Sequence, residues 1–118
     1  MSSKIDLHTH TTASDGILTP REIVKLAARL KVEYLGITDH DTTLGLRDAL
    51  DEARRWDVEV IPGVELSVEW PAGEMHILGY YVPPEGGKLE EKLAKLREDR
   101  QDRAARIIEK LKGLGIIL

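Results

Sequence analysis

At 118 residues, with 42% hydrophobic and 32% charged side chains, the chain reads as one soluble domain, large enough for an ordinary core and free of linker, repeat or low-complexity segments. Cysteine is absent, which excludes thiolate catalysis, disulfides and sulfur-ligated zinc, so any metal must be held by His, Asp or Glu. The net charge of −4 divides unevenly: residues 1–87 carry −7, which argues against non-specific nucleic-acid binding through that surface, and residues 88–118 carry +3.

In chain order, Lys4 to Leu7 reads as a short strand. Thr19-Pro20-Arg21-Glu22 is a capping box with proline at the first helical position, and Ile23, Leu26, Ala27 and Leu30 supply the apolar stripe of a first helix. Tyr34 to Thr38 is a second strand, ending in Asp39-His40-Asp41, and a second helix is predicted from Leu44 to Trp56 with Leu46, Ala49, Leu50 and Ala53 on one face. Val58 to Ile61 begins a third strand that continues past Pro62-Gly63 to Trp70. Pro71-Ala72-Gly73 turns it back into Met75 to Val82 as a hairpin. After a break at Pro83 to Gly87, a long helix from Lys88 to Lys112 places Leu89, Leu93, Leu96, Ala104, Ile108 and Leu111 on its buried side. Strand, helix, strand, helix, strand is the pattern of parallel βαβ units, whose chemistry gathers at the carboxyl ends of the strands.

All four histidines fall at or near such ends. His8 and His10 follow the first strand, Asp39 and His40 the second, and Glu65 and His76 lie in the third strand and its return. Alternate residues of a strand share a face with Cα atoms about 7 Å apart, so His8 and His10 can converge on one ion. The Ser14-Asp15-Gly16 turn can bring Asp15 back over the same mouth, with Gly16 permitting a positive φ. Taken singly, each feature has an ordinary explanation. Two histidines end many strands, Asp39-His40-Asp41 suits a helix N-cap, and His76 suits a hydrogen-bonded core histidine. Glu65 alternates with Val64 and Leu66 as on a half-solvated strand. The conjunction points elsewhere, because six candidate ligands exceed a four-coordinate zinc site and suit two or three close divalent ions, Mn, Zn, Fe or Mg, with Glu65 bridging.

The runs DLHTHTTASDG, ITDHDT, PGVELS and HILGY, in that order, resemble the amino-terminal motifs of the PHP (polymerase and histidinol phosphatase) family of metal-dependent phosphoesterases. The likeness extends over almost the whole chain and is narrower for the branch acting on nucleotides or RNA 5′ ends. The resemblance implies an α/β fold, a distorted (β/α)7 TIM-like barrel with a trinuclear centre. In it His8 and His10 hold the first ion with Glu65, Glu65 bridges to a second bound by His76, and Asp15 with His40 holds the third. Asp39 is assigned the catalytic supporting role of orienting the site, and the implied reaction is hydrolysis of a phosphoester by ion-activated water. The family barrel is longer and draws a further His and an Asp-x-His pair from its carboxyl-terminal half. Residues 1–118 are therefore expected to be an amino-terminal portion of a PHP domain, with fewer ions, diminished activity and exposed edges that favour self-association.

Arg97, Arg100, Arg103 and Arg106 recur every three residues on the last helix, and their simplest reading is a solvated face paired with Glu98, Asp99, Asp102 and Glu109. Arg100, however, stands where the apolar stripe should continue, which marks it as a candidate to bind substrate phosphate. The expected partner is a phosphorylated small molecule, nucleotide or RNA end. No apolar run is long enough to span a bilayer and residues 1–30 lack signal-peptide character, so the expected location is the cytoplasm. The competing readings are a metal-dependent amidohydrolase, which also places H-x-H after its first strand, and a non-catalytic domain kept for stability or assembly.

Overall fold

The computed structural model describes residues 4–84 and 87–115; the apolar end at 116–118 and part of the Pro83–Gly87 break lie outside the described residues. The elements follow the expected order: β1 (Lys4–Thr9), α1 (Pro20–Arg29), β2 (Val32–Ile37), α2 (Leu46–Ala53), β3 (Glu59–Trp70), β4 (Gly73–Tyr80) and α3 (Gly87–Gly113). The strands form one four-stranded sheet in the order β1-β2-β3-β4, parallel from β1 to β3 and antiparallel in the β3–β4 hairpin. Trp70 pairs with Gly73, leaving Pro71 and Ala72 as a two-residue loop with Gly73 at φ +137°.

The sheet is strongly curled. In a flat sheet the outer strands would stand about 14 Å apart, yet the Tyr80 hydroxyl on β4 donates to the Leu7 carbonyl on β1 at 2.7 Å. This curl makes an α/β partial barrel. On its convex side α1 and α2 bury Val24, Ala27, Leu46 and Ala49 against Leu35, Ile37, Val58 and Val60. Each fully buried aliphatic there contributes about 1.5–3 kcal/mol.

α1 starts where expected. Thr19 Oγ1 accepts from Glu22 N and the Glu22 carboxylate accepts from Thr19 N, so the capping box is formed. Its buried face is centred on Val24 and Ala27, however, while Leu26 and Leu30 are exposed. They line a shallow apolar groove with Leu18, Val32 and Leu35 beside β1, which is an edge strand and leaves Ile5 and Leu7 exposed as well. α2 is shorter than its predicted span: Gly45 at the N-cap offers no side-chain acceptor, and residues 54–57 form turns. Glu52 is buried on α2, where Trp56 Nε1 donates to it at 2.9 Å.

The buried stripe predicted for α3 holds only in its first half. Leu93 is buried and Leu89 and Leu96 are half-buried, but Ala104 and Ile108 are exposed and Leu111 only half-buried. A 27-residue helix is about 40 Å long, so its second half runs beyond the sheet, and no described element covers it.

Candidate metal centre

The geometry of the rim begins with a bulge. Between Asp6 and Thr9 the first strand advances three residues while its partner advances two, from Leu35 to Ile37. The extra residue presses the Leu7 backbone onto β2, where a Cβ on Gly36 would stand 2.7 Å from the Leu7 carbonyl. Glycine is required there by space, and the bulge sends His8 and His10 together into the concave side. Their ring centroids are 5.2 Å apart.

The chain then folds back through Thr11–Gly16. Gly16 does not use the positive φ open to glycine; its role is steric, since a Cβ would lie 2.3 Å from the His10 carbonyl oxygen. Gly16 N donates to the Thr11 carbonyl at 2.8 Å, and this return places Asp15 Oδ1 2.9 Å from His10 Nδ1 and Oδ2 3.3 Å from His40 Nε2. Asp39, fully buried, accepts hydrogen bonds from Thr11 N (2.6 Å), Thr11 Oγ1 (2.7 Å) and Ser14 Oγ (2.7 Å). It caps no helix. Its carboxylate anchors the loop that carries Asp15.

Glu65 stands at the centre. Its backbone is clamped by the extension of β2: Glu65 N donates to the Asp39 carbonyl and Asp41 N to the Glu65 carbonyl, both at 3.0 Å. The side chain is 5% exposed, so the solvated-strand explanation of this residue fails. Its Oε1 meets His8 Nε2 and lies 3.3 Å from His10 Nε2, while Oε2 lies 3.3 Å from His40 Nδ1 and 3.1 Å from His76 Nδ1. His76 reaches it because β4 pairs His76 with Ser67 on the same face, and Ser67 Oγ is 3.1 Å from His76 Nδ1. Burial alone would push the Glu65 carboxyl up, but the hydrogen bond from His8 and the fields of His40, His8 and His10 outweigh it and hold the group below its usual value. Asp15 is likewise held low: desolvation opposes ionisation, and His40 and His10 more than offset it.

One carboxylate facing four imidazoles is a donor set that cations would satisfy. His8, His10 and Glu65 form one group, and His10, Asp15 and His40 a second, with ligand atoms in each within 4.8 Å of one another. His76 adjoins through Glu65, so the strand ends bring together His8, His10, Asp15, His40, Glu65 and His76. The N/O composition without sulfur fits Zn, Mn, Fe or Mg.

Arg97, Arg100 and Arg103 of α3 each reach the body of the molecule, and Arg97 also pairs within its own helix. Arg97 Nη1 donates to the Asp41 carbonyl and Nη2 pairs with Glu90; Arg100 Nε pairs with Asp41 Oδ2 and Nη2 donates to the Ser67 carbonyl; Arg103 pairs with Glu69. Among the described residues none of these three pairs with the expected Glu98, Asp99, Asp102 or Glu109, because the i, i+3 spacing aligns their side chains on the face turned to Asp41 and the hairpin. Sequence reasoning passed over Asp41, Thr11 and Ser67. The tolerance of aspartate for φ +52° at residue 41 was a faint signal for the first; the other two carried none.

The model of the PHP domain matches residues 6–110 of this chain. A 5′-3′ exoribonuclease of Escherichia coli is 44% identical over 94% of the chain and 39% of the relative, and a 3′,5′-nucleoside bisphosphate phosphatase of Chromobacterium violaceum is 40% identical over 97% and 40%. Among solved structures, an amidohydrolase from Chromobacterium violaceum with bound sulfate superposes with a TM-score of 0.83 at 39% identity, covering 98% of this chain and 41% of that one. A Bifidobacterium adolescentis protein assigned as a metal-dependent phosphoesterase gives 0.81 at 29% identity over 96% and 40%. The chain thus spans about two fifths of the length of the relatives it matches.

Proposed function

The chain belongs to the PHP domain family, and from that premise we propose that it carries the ligand-bearing part of a metal-dependent phosphoesterase acting on nucleotides or short RNA. The proposed whole is a distorted (β/α)7 barrel to which these four strands contribute, with two or three divalent ions at its rim. The observation that carries the reading is Glu65: a buried carboxylate with each oxygen turned toward two imidazoles. The named activities of the relatives, on RNA and on nucleoside bisphosphates, support a phosphoester substrate.

His8, His10 and Glu65 would hold one ion, Glu65 with His76 a second, and Asp15 with His40 a third. When bound, such ions supply Lewis acidity, acidifying water and neutralising charge on phosphoryl oxygens. The chain's own residues do the rest. Glu65 keeps the two sides of the site at a fixed spacing, because its backbone is pinned to Asp39 and Asp41. Asp39 supports catalysis without touching the reacting atoms, by holding Asp15 in place through Thr11 and Ser14. Arg100, at the edge of the rim, offers a guanidinium to a phosphate oxygen.

Mn²⁺-loaded protein should hydrolyse p-nitrophenyl phosphate and leave cyclic amides intact. The reverse preference would favour the amidohydrolase reading, which the name of one structural neighbour keeps in view. Failure to retain Mn²⁺ or Zn²⁺ would favour a non-catalytic role.

A further inference from the structure

Asp41 is the described residue whose surroundings the proposed reaction leaves unexplained. It follows a proposed ligand, His40, in a turn with φ +52°, a conformation uncommon outside glycine, asparagine and aspartate. It is 8% exposed. Its Oδ2 is paired with Arg100 Nε at 2.8 Å and its carbonyl accepts from Arg97 Nη1 at 2.7 Å, while Oδ1 is, among the described residues, a buried side-chain oxygen with no hydrogen-bond partner. A buried carboxylate with one satisfied oxygen is costly unless its charge is matched, and here Arg100 matches it.

Arg100 in turn is not consumed by this pair. Of its five N–H groups, Nε engages Asp41 and one on Nη2 engages the Ser67 carbonyl at 2.6 Å. The remaining N–H groups have no partner among the described residues, and the side chain is 41% exposed. Both anchors adjoin the rim: Asp41 N is bonded to the Glu65 carbonyl, and Ser67 Oγ touches His76. The guanidinium is therefore held by its Nε edge, on two anchors that border Glu65 and His76, with its outer edge unengaged among the described residues.

We propose that Asp41 is a positioning residue: by gripping Arg100 through Nε it aims the free guanidinium edge at a phosphate oxygen of the substrate, and so sets phosphate affinity without contributing to metal affinity. The proposal rests on the phosphoesterase reading and deepens it. Lysine at residue 100 would keep the charge but lacks the planar fork needed to grip Asp41 and present a second edge.

The test uses the 118-residue chain loaded with stoichiometric Mn²⁺ and inorganic phosphate as the probe, both titrated by calorimetry. Asp41→Asn keeps the side-chain shape and tolerates the left-handed turn, so the fold is retained, with circular dichroism as the check. The expected result is unchanged Mn²⁺ affinity and phosphate binding weakened about tenfold or more. Arg100→Ala and Arg100→Lys should produce the same loss, and the Asp41→Asn/Arg100→Ala double variant should bind phosphate no worse than Arg100→Ala alone. In thermal melts the double variant should also be more stable than Arg100→Ala, whose buried carboxylate has lost its counterion. Phosphate binding by Asp41→Asn equal to the parent, a matching loss of Mn²⁺ affinity, or losses that multiply in the double variant would each overturn the proposal. A parent protein that takes up Mn²⁺ but binds no phosphate would sink the phosphoesterase reading along with it, a result distinct from the other three.

Discussion

The ligand residues reach the rim on strand ends fixed by backbone hydrogen bonds, whereas the arginines of α3 reach it as long side chains on a helix whose only buried residue, among those described, is Leu93. Glu65 is pinned at both its N–H and its carbonyl, and Asp39 beneath Asp15 accepts three hydrogen bonds. Arg97, Arg100 and Arg103 have no comparable enclosure and depend on their ionic partners. A centre that must present several ligands to ions within a fraction of an ångström needs the first kind of support. A contact that grips a mobile anion tolerates the second.

Breaking the first region should give the largest effect. Glu65→Gln removes the charge common to both sides of the rim, so Mn²⁺ affinity should fall by more than the roughly 10- to 100-fold that loss of an outer partner costs. Calorimetric titration measures this directly. The rise in melting temperature on adding Mn²⁺, which follows from binding the folded state alone, should vanish with it. Retained Mn²⁺ binding in this variant would mean that Glu65 is not the shared ligand. Asp39→Asn comes next: it should weaken Mn²⁺ roughly 10- to 100-fold through the loosened Asp15 loop and cost about 1–3 kcal/mol of stability in urea unfolding, from poorly paired buried donors. A stability loss without any change in metal affinity would confine Asp39 to a structural role.

The two regions also differ in how much of them could be read from the sequence. Element order followed from hydrophobic period, and the ligand positions from the rule that chemistry collects at strand ends. Each of those signals is local. The burial of Glu65 was not legible, because Glu59, Glu65, Ser67 and Glu69 alternate as they would on a solvated strand; the sheet's curl, visible only when Tyr80 meets Leu7, encloses residue 65 and leaves residues 59 and 69 outside. The bulge at His8 and the steric need for Gly16 depend likewise on neighbours distant along the chain. For α3 the i, i+3 arginine spacing was plain, but acids of the helix and acids of the body are equivalent in one dimension. Proximity to Asp41 and Glu69 decided between them.

Acid should separate the regions without mutation. Glu90 sits where α3 meets the body; burial pushes its carboxyl up, but hydrogen bonds from Thr43 (2.7 Å) and Arg97 (2.8 Å) prevail and hold it below the usual value of 4.5. A carboxyl held low in the folded state contributes stability that is fully present above the unfolded value and lost as pH falls through the folded one. The contact between α3 and residues 41–43 should therefore loosen below about pH 4.5, with amide protection, taken relative to the unstructured exchange rate at each pH, falling across the first turns of the helix. In Glu90→Gln this added loosening should be missing, and protection of α3 amides that stays constant from pH 6 to pH 3 would contradict the assignment of Glu90 as its anchor.

The smallest effect separates arginines within α3 itself. Arg103 and Glu69 are 2.7 Å apart, as close as any pair in the row, yet their side chains are 63% and 68% exposed. At that exposure water screens the charges and ordering two long side chains cancels most of the attraction, so Arg103→Ala should change unfolding free energy by less than about 1 kcal/mol, and by less still in 1 M salt. Arg97 is 31% exposed, is paired with a Glu90 that is 16% exposed, and also donates to a buried carbonyl. Arg97→Ala should therefore cost more than Arg103→Ala and depend less on salt, since it leaves a buried acceptor without its donor. Urea unfolding of both variants at two salt concentrations measures the difference. Equal costs would mean that α3 is held by its net charge and not by the particular carbonyl and carboxylates it meets, and the contrast between a built rim and a gripping helix would lose its physical basis.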